Sequence, residues 1–173
     1  MQTTYSSSRI LQPVRPWFVL LSLLAALFLN FLPTTSVVWI PDWVALVLVF
    51  WSIREPRHVG MGSGFLLGLA MDVADASLMG QHALAYVIAA YFSALFSRRI
   101  LWFPLAQQAL HVLPLLLIVQ AVQVAIRIAP GVEFPGPLYF VGPILAAVLW
   151  PILTYLLLLP QHQPIEHDAN RPI

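Results

Sequence analysis

The sequence has no cysteine and no lysine, and charged residues make up only 9% of its 173 positions. The missing thiols exclude disulfides, iron–sulfur clusters and thiolate metal sites. Eight arginines carry all the fixed positive charge, and a net charge of +1 with no basic cluster gives no footprint for nucleic acid. At 60% apolar residues and a mean hydropathy of +0.85, the chain lacks the polar surface that a soluble domain of this size needs. It reads as an integral membrane protein. No cleavable signal peptide is expected, since the first apolar run is not followed by an Ala-x-Ala type site.

Chemistry-bearing sets are also missing. The five histidines, His58, His82, His111, His162 and His167, fall on different segments with no His-x3-His pair, so no metal site is expected. Ser63 and Ser77 lack a His/Asp arrangement, and Gly60-Met-Gly-Ser-Gly64 is neither a nucleophile elbow nor a phosphate loop. No catalytic residue and no cofactor is therefore expected. Gln107 with His111, and Gln120 and Gln123 with Arg127, share helix faces and read as polar contacts between helices.

What the sequence does have is apolar runs separated by turn formers. They predict an all-α membrane bundle of about six spans, at roughly 17–33, 37–53, 60–76, 81–97, 104–128 and 138–159. Residues 1–16 and 160–173 read as polar tails flanking a membrane domain over 17–159. Seven of the eight arginines fall on one side if both termini are cytoplasmic, and only Arg127 falls outside; the positive-inside bias then places both tails in the cytoplasm.

The third segment is the most unusual. Gly60, Gly64 and Gly68 recur every four residues, which on a helix forms a smooth strip for close backbone approach. Asp72 continues the strip, and Asp75 returns to that face. A carboxylate within a span costs roughly 2.5–3.5 kcal/mol at the helix centre, so Asp72 is a candidate for either a polar contact or a charge-dependent role. Ala85, Ala89 and Ser93 form a small-residue face on the fourth segment that is expected to receive the strip. A partner helix would compete for the same groove.

These features occur in an order that resembles a known family. Pro41-Asp-Trp43, Trp51, Pro56, Gly62-Ser-Gly64-Phe, Gly68-Leu-Ala-Met-Asp72, Leu78-Met-Gly80, Ala90-Tyr91, Ala106-Gln107-Gln108-Ala-Leu110 and Val148-Leu-Trp150-Pro151 are similar to the markers of the rod shape-determining protein MreD family. The resemblance covers nearly the whole chain. It implies a non-enzymatic, multi-pass component of the bacterial inner membrane in the cell-elongation machinery. It also implies partnership with MreC, with MreB filaments, and with the peptidoglycan synthases RodA and a class B penicillin-binding protein. A rival reading from composition and layout is a small-molecule-binding membrane component, similar to the substrate-binding subunit of energy-coupling-factor transporters.

Overall fold

A computed structural model describes residues 14–32 and 40–161. Most of both tails, with Arg9, His162, His167 and Arg171, and the Pro33-Thr-Thr35 stop lie outside the described residues. Among those described there are six α-helices: α1 (Pro16–Phe31), α2 (Trp43–Arg54), α3 (Met61–Ala74), α4 (Gln81–Leu101), α5 (Leu105–Ile128) and α6 (Val141–Leu158). Short 3₁₀ turns, Pro137–Phe140 and Leu159–Gln161, flank α6.

Sequence chemistry accounts for the boundaries. Pro16 occupies the first turn of α1, where its missing N–H costs nothing. The Asp42 side chain accepts from the Ala45 amide and caps α2. Gly80, at φ +102°, supplies the left-handed residue that precedes α4. α4 runs through Arg98 and Arg99 to Leu101, four residues past the end at 97 expected for the fourth span. The two side chains lie in its last turn, where cations complement the helix dipole.

Three helical stretches, Gln81–Leu101, Leu105–Ile128 and Pro137–Gln161, are long and apolar enough to cross a membrane. α1, α2 and α3 are shorter, with 16, 12 and 14 residues. α2 is apolar all round, and every residue from Val44 to Ile53 is buried. Such a helix belongs inside a bundle rather than on its surface. α4 and, more lightly, α5 and α6 enclose it on one side and α1 on the other. Trp51 anchors this centre, donating from Nε1 to Ser22 Oγ at 2.8 Å and meeting Phe50 and Phe18 edge-on. Phe50 then reaches Trp150 of α6, with ring centroids 5.7 Å apart.

Short connections make consecutive helices antiparallel and divide the molecule into two ends. Arg15, Arg54, Arg57, Arg98 and Arg99 gather at the end holding the start of α1 and the ends of α2 and α4. Arg127 lies at the other end.

The tightest contact is between α3 and α4. A Cβ added to Gly64 would sit 2.8 Å from the Tyr86 carbonyl oxygen, and one added to Gly68 would overlap the Ala83 backbone. The glycines therefore meet His82, Ala83, Tyr86 and Val87, and not the Ala85, Ala89, Ser93 face expected to receive them. Those three residues are fully buried on a neighbouring face of α4, with Ala85 and Ala89 in the hydrophobic core. Gly60 is not part of the helical strip: it is the residue before α3, and a Cβ added there would meet nothing closer than the Pro56 carbonyl oxygen at 3.8 Å.

Overpacking a core typically costs about 1–3 kcal/mol. Gly68→Ala is expected to lower the unfolding free energy of the detergent-solubilised protein by at least that much, whereas Gly62→Ala, with nothing within 4 Å, stays within roughly 0.5 kcal/mol. Circular dichroism during denaturant titration of the two variants measures the difference.

Candidate functional site

At the end opposite the arginine cluster, α1 to α5 and the 3₁₀ turn before α6 bring polar side chains together around Asp72 and Asp42. Asp72, at the last turn of α3, is only 2% exposed. The turn after it doubles back within a few residues, with Ala76 at φ +48° and Gly80 at φ +102°, and delivers the start of α4 onto the carboxylate. Oδ2 accepts from the Gly80 amide at 2.7 Å and Oδ1 from the His82 amide at 2.7 Å; the Ala83 amide lies 3.4 Å from Oδ2. Ser77 Oγ donates to Oδ1 at 3.1 Å. Asp72 thus caps α4 from a different helix, meeting the unpaired N–H groups and the positive end of its dipole. Charge-assisted bonds of this kind offset the cost of burying the carboxylate.

His82 joins this carboxylate to Asp75. Its Nδ1 lies 2.9 Å from Asp72 Oδ1, and an ionised carboxylate can only accept, so Nδ1 carries the proton. Nε2 lies 3.6 Å from Asp75 Oδ2. Sequence spacing leaves His82 toward the outer surface and away from Asp72; the turn closes that distance. Gly80 is the local signal for it, because a positive φ there allows the reversal.

The second carboxylate, Asp42, is a polar hub that the sequence does not single out between the markers Pro41 and Trp43. Besides capping α2, its Oδ1 accepts from Asn30 Nδ2 of α1 at 2.9 Å and its Oδ2 from the Tyr86 hydroxyl of α4 at 2.7 Å. Gln123 Nε2 of α5 lies 3.5 Å from Oδ2, and the Tyr139 hydroxyl, from the turn before α6, lies 3.4 Å from Gln123 Oε1. Asn30 completes the link by accepting from the Trp43 amide at 3.0 Å. One side chain therefore connects α1, α2, α4 and α5 directly and the α6 entry through Gln123. An Asp before an apolar run is a readable N-cap signal, but its long-range partners are not.

Between these groups lies a polar cavity of about 160 Å³, lined by Asp42, Asp75, His82, Gln120, Gln123 and Tyr139 among others. Gln120 Nε2 donates to the Tyr139 carbonyl at 3.2 Å, as interhelical glue. Among the described residues no group of three or more His, Asp and Glu side chains is arranged to hold a metal ion.

The remaining expected residues divide between the two ends. Pro41 lines the cavity, Trp43 opens α2 and Gly80 opens α4. Gln108 and Trp150 meet each other instead, nearer the arginine end: Gln108 Nε2 donates to the Phe103 carbonyl at 2.8 Å, and Trp150 Nε1 lies 3.4 Å from Gln108 Oε1. Gln107 is exposed and bonds through its backbone, its amide donating to the Pro104 carbonyl at 2.9 Å and its carbonyl meeting His111 Nδ1 at 2.8 Å. Pro56 sits in the exposed α2–α3 turn, and Pro151 is inside α6, where it withholds a helical hydrogen bond.

A family model described as rod shape-determining protein MreD matches residues 9–159. The rod shape-determining protein MreD of Haemophilus influenzae (strain ATCC 51907 / DSM 11121 / KW20 / Rd) is 30% identical over 142 residues, which cover 78% of this chain and 85% of that one. No solved structure matches.

The two carboxylates predict graded losses of stability. Asp72→Ala strands several buried amides and is expected to cost at least about 2 kcal/mol, while Asp72→Asn, which keeps one carbonyl acceptor, costs roughly half as much. In denaturant titrations, Tyr86→Phe should cost about 1–3 kcal/mol in the wild-type background and much less in Asp42→Ala, the non-additivity expected of a direct hydrogen bond.

Proposed function

The chain belongs to the MreD family of rod shape-determining proteins, and on that basis we propose that it is a non-enzymatic, six-span inner-membrane scaffold that links MreC and the peptidoglycan synthases RodA and a class B penicillin-binding protein to MreB filaments. Both termini and the arginine-rich end face the cytoplasm in this reading, and the polar end faces outward. The observation that supports a scaffold is how little of the chain lies outside the helices: the connections at the arginine-rich end are only residues 55–60 and 102–104, and the longer ones, 32–42 and 129–140, lie at the other end, so cytoplasmic partners have only helix faces, those two turns and the tails to bind.

MreC contributes one membrane helix in this family. The inner groove of α3 is filled by α4 at Gly64 and Gly68, so the proposed contact is the opposite, outer face of α3. α3 packs on α4 and touches α1 only slightly, which leaves Met61, Gly62, Phe65, Leu66 and Val73 uncovered. A helix laid there would gain van der Waals packing without disturbing the bundle.

Gly62→Leu and Leu66→Trp test this contact, because neither position is enclosed within the chain. Both variants are expected to insert and to elute as the wild type does from size exclusion, yet to lower recovery of MreC in co-purification by at least five-fold; unchanged recovery would refute the contact. The orientation is checked separately by single-cysteine labelling in a chain with no native thiol. A cysteine at Val132 is expected to react with an impermeant maleimide in intact spheroplasts, and one at Arg57 only after lysis.

A further inference from the structure

A groove on the lipid-facing side of α4 and α5 lies well away from the polar cavity and from the proposed MreC face. It is about 390 Å³ in volume and is lined by Phe92, Phe96, Arg99 and Ile100 of α4 and by Leu110, His111, Pro114, Leu115 and Ile118 of α5. Because the two helices are antiparallel, Arg99 and His111 share its mouth at the arginine-rich end. Phe92 and Ile118 lie about 10 Å deeper, seven residues along each helix at ~1.5 Å per residue. The lining therefore changes from cationic to wholly apolar along one axis.

We propose that this groove is a binding site for an anionic phospholipid, with one acyl chain along Phe92, Phe96, Leu115 and Ile118 and the headgroup phosphate on Arg99. Charge complementarity argues for an anion at the mouth. Among the described residues no carboxylate lies within ion-pair distance of Arg98 or Arg99, and the only ion pairs are those of His58 and His82. Basic pockets between membrane helices on the cytoplasmic side are the setting in which acidic headgroups are held. His111 is fixed beside the mouth, its ring stacked on Phe103 at 4.6 Å and its Nδ1 donating to the Gln107 carbonyl, which leaves the Arg99 guanidinium as the donor to a phosphate oxygen.

Size argues for an acyl chain in place of a helix. The groove runs along only about 10 Å of the two helices, seven residues of each, whereas a membrane-spanning helix would need a seat of ~30 Å. Pro114 contributes to the groove's shape: it has no N–H for the Leu110 carbonyl, and both residues line the opening. Phe96, Leu110 and Ile118 are exposed along it, which leaves the groove open to lipid from the side.

This inference rests on the membrane placement proposed above but not on the MreC contact. Native mass spectrometry of the full-length protein, titrated with phosphatidylglycerol or phosphatidylcholine, tests it. Phosphatidylglycerol is expected to bind at least ten-fold more tightly than phosphatidylcholine. Arg99→Gln is expected to remove that preference, while Arg98→Gln, outside the lining, changes it less than two-fold. Inorganic phosphate at millimolar concentration should not compete, because the acyl chain holds the lipid. Equal binding of the two lipids, equal loss in both arginine variants, or displacement by phosphate would each overturn the site. Binding of neither lipid would count against the membrane placement itself. Independently of any variant, a phosphatidylglycerol with a diazirine on its acyl chain is expected to label residues 92–100 and 110–118, and labelling spread evenly around the bundle would overturn the proposal.

Discussion

The rest of the structure depends on the close approach of two backbones, α3 and α4, at Gly64 and Gly68. Without a Cβ at either position, the α4 backbone comes to within a side chain's thickness of α3 at Tyr86 and Ala83. That approach places the last turn of α3 beside the first turn of α4, and only then can Asp72 reach the amides of Gly80 and His82. The hairpin in turn presents Tyr86 to Asp42, which draws in α1, α2 and α5. Packing and polar bonding are therefore sequential consequences of one steric allowance, and the carboxylates are tolerable in the bundle because the fold aims helix-end amides and the side chains of Asn30, Ser77 and Tyr86 at them.

The two ends of the molecule are held by different physics. The polar end uses hydrogen bonds that converge on Asp42 and Asp72 from several helices. The arginine-rich end has aromatic packing and separate side-chain pairs, Trp51 with Ser22, Gln108 with Trp150 and His58 with Glu55, and its Arg54 guanidinium lies over the Phe50 ring at 5.3 Å. Interhelical hydrogen bonds in membranes average well under 2 kcal/mol each, so the polar end gains its strength from convergence and not from any one bond.

Much of this was legible in the sequence, for reasons that can be traced to residues. Pro16, Asp42 and Gly80 announce helix starts because each has a specific backbone preference. The four-residue recurrence of Gly64 and Gly68 announces a packing strip because helical periodicity puts them on one face. The receiving face was not legible. Ala85, Ala89 and Ser93 are small, but backbone contact at a glycine is made with the partner's main chain, which every residue has, so side-chain size on α4 does not mark the spot. The hub at Asp42 was hidden for a related reason. Its bonds to Tyr86 and Gln123 span 44 and 81 residues, and no local pattern encodes such pairs.

The unequal lengths of the helices carry a consequence for the surrounding lipid. α3 presents an outer face about 21 Å long, whereas α5 on another side of the bundle extends about 36 Å, against a hydrocarbon core of ~30 Å. In the proposed six-span placement, hydrophobic mismatch on these two sides would have opposite sign, with the bilayer pinched next to α3 and filled or exceeded next to α5. A protein with such a profile is sorted by membrane thickness, and its thin flank is where association with a neighbour relieves the most deformation.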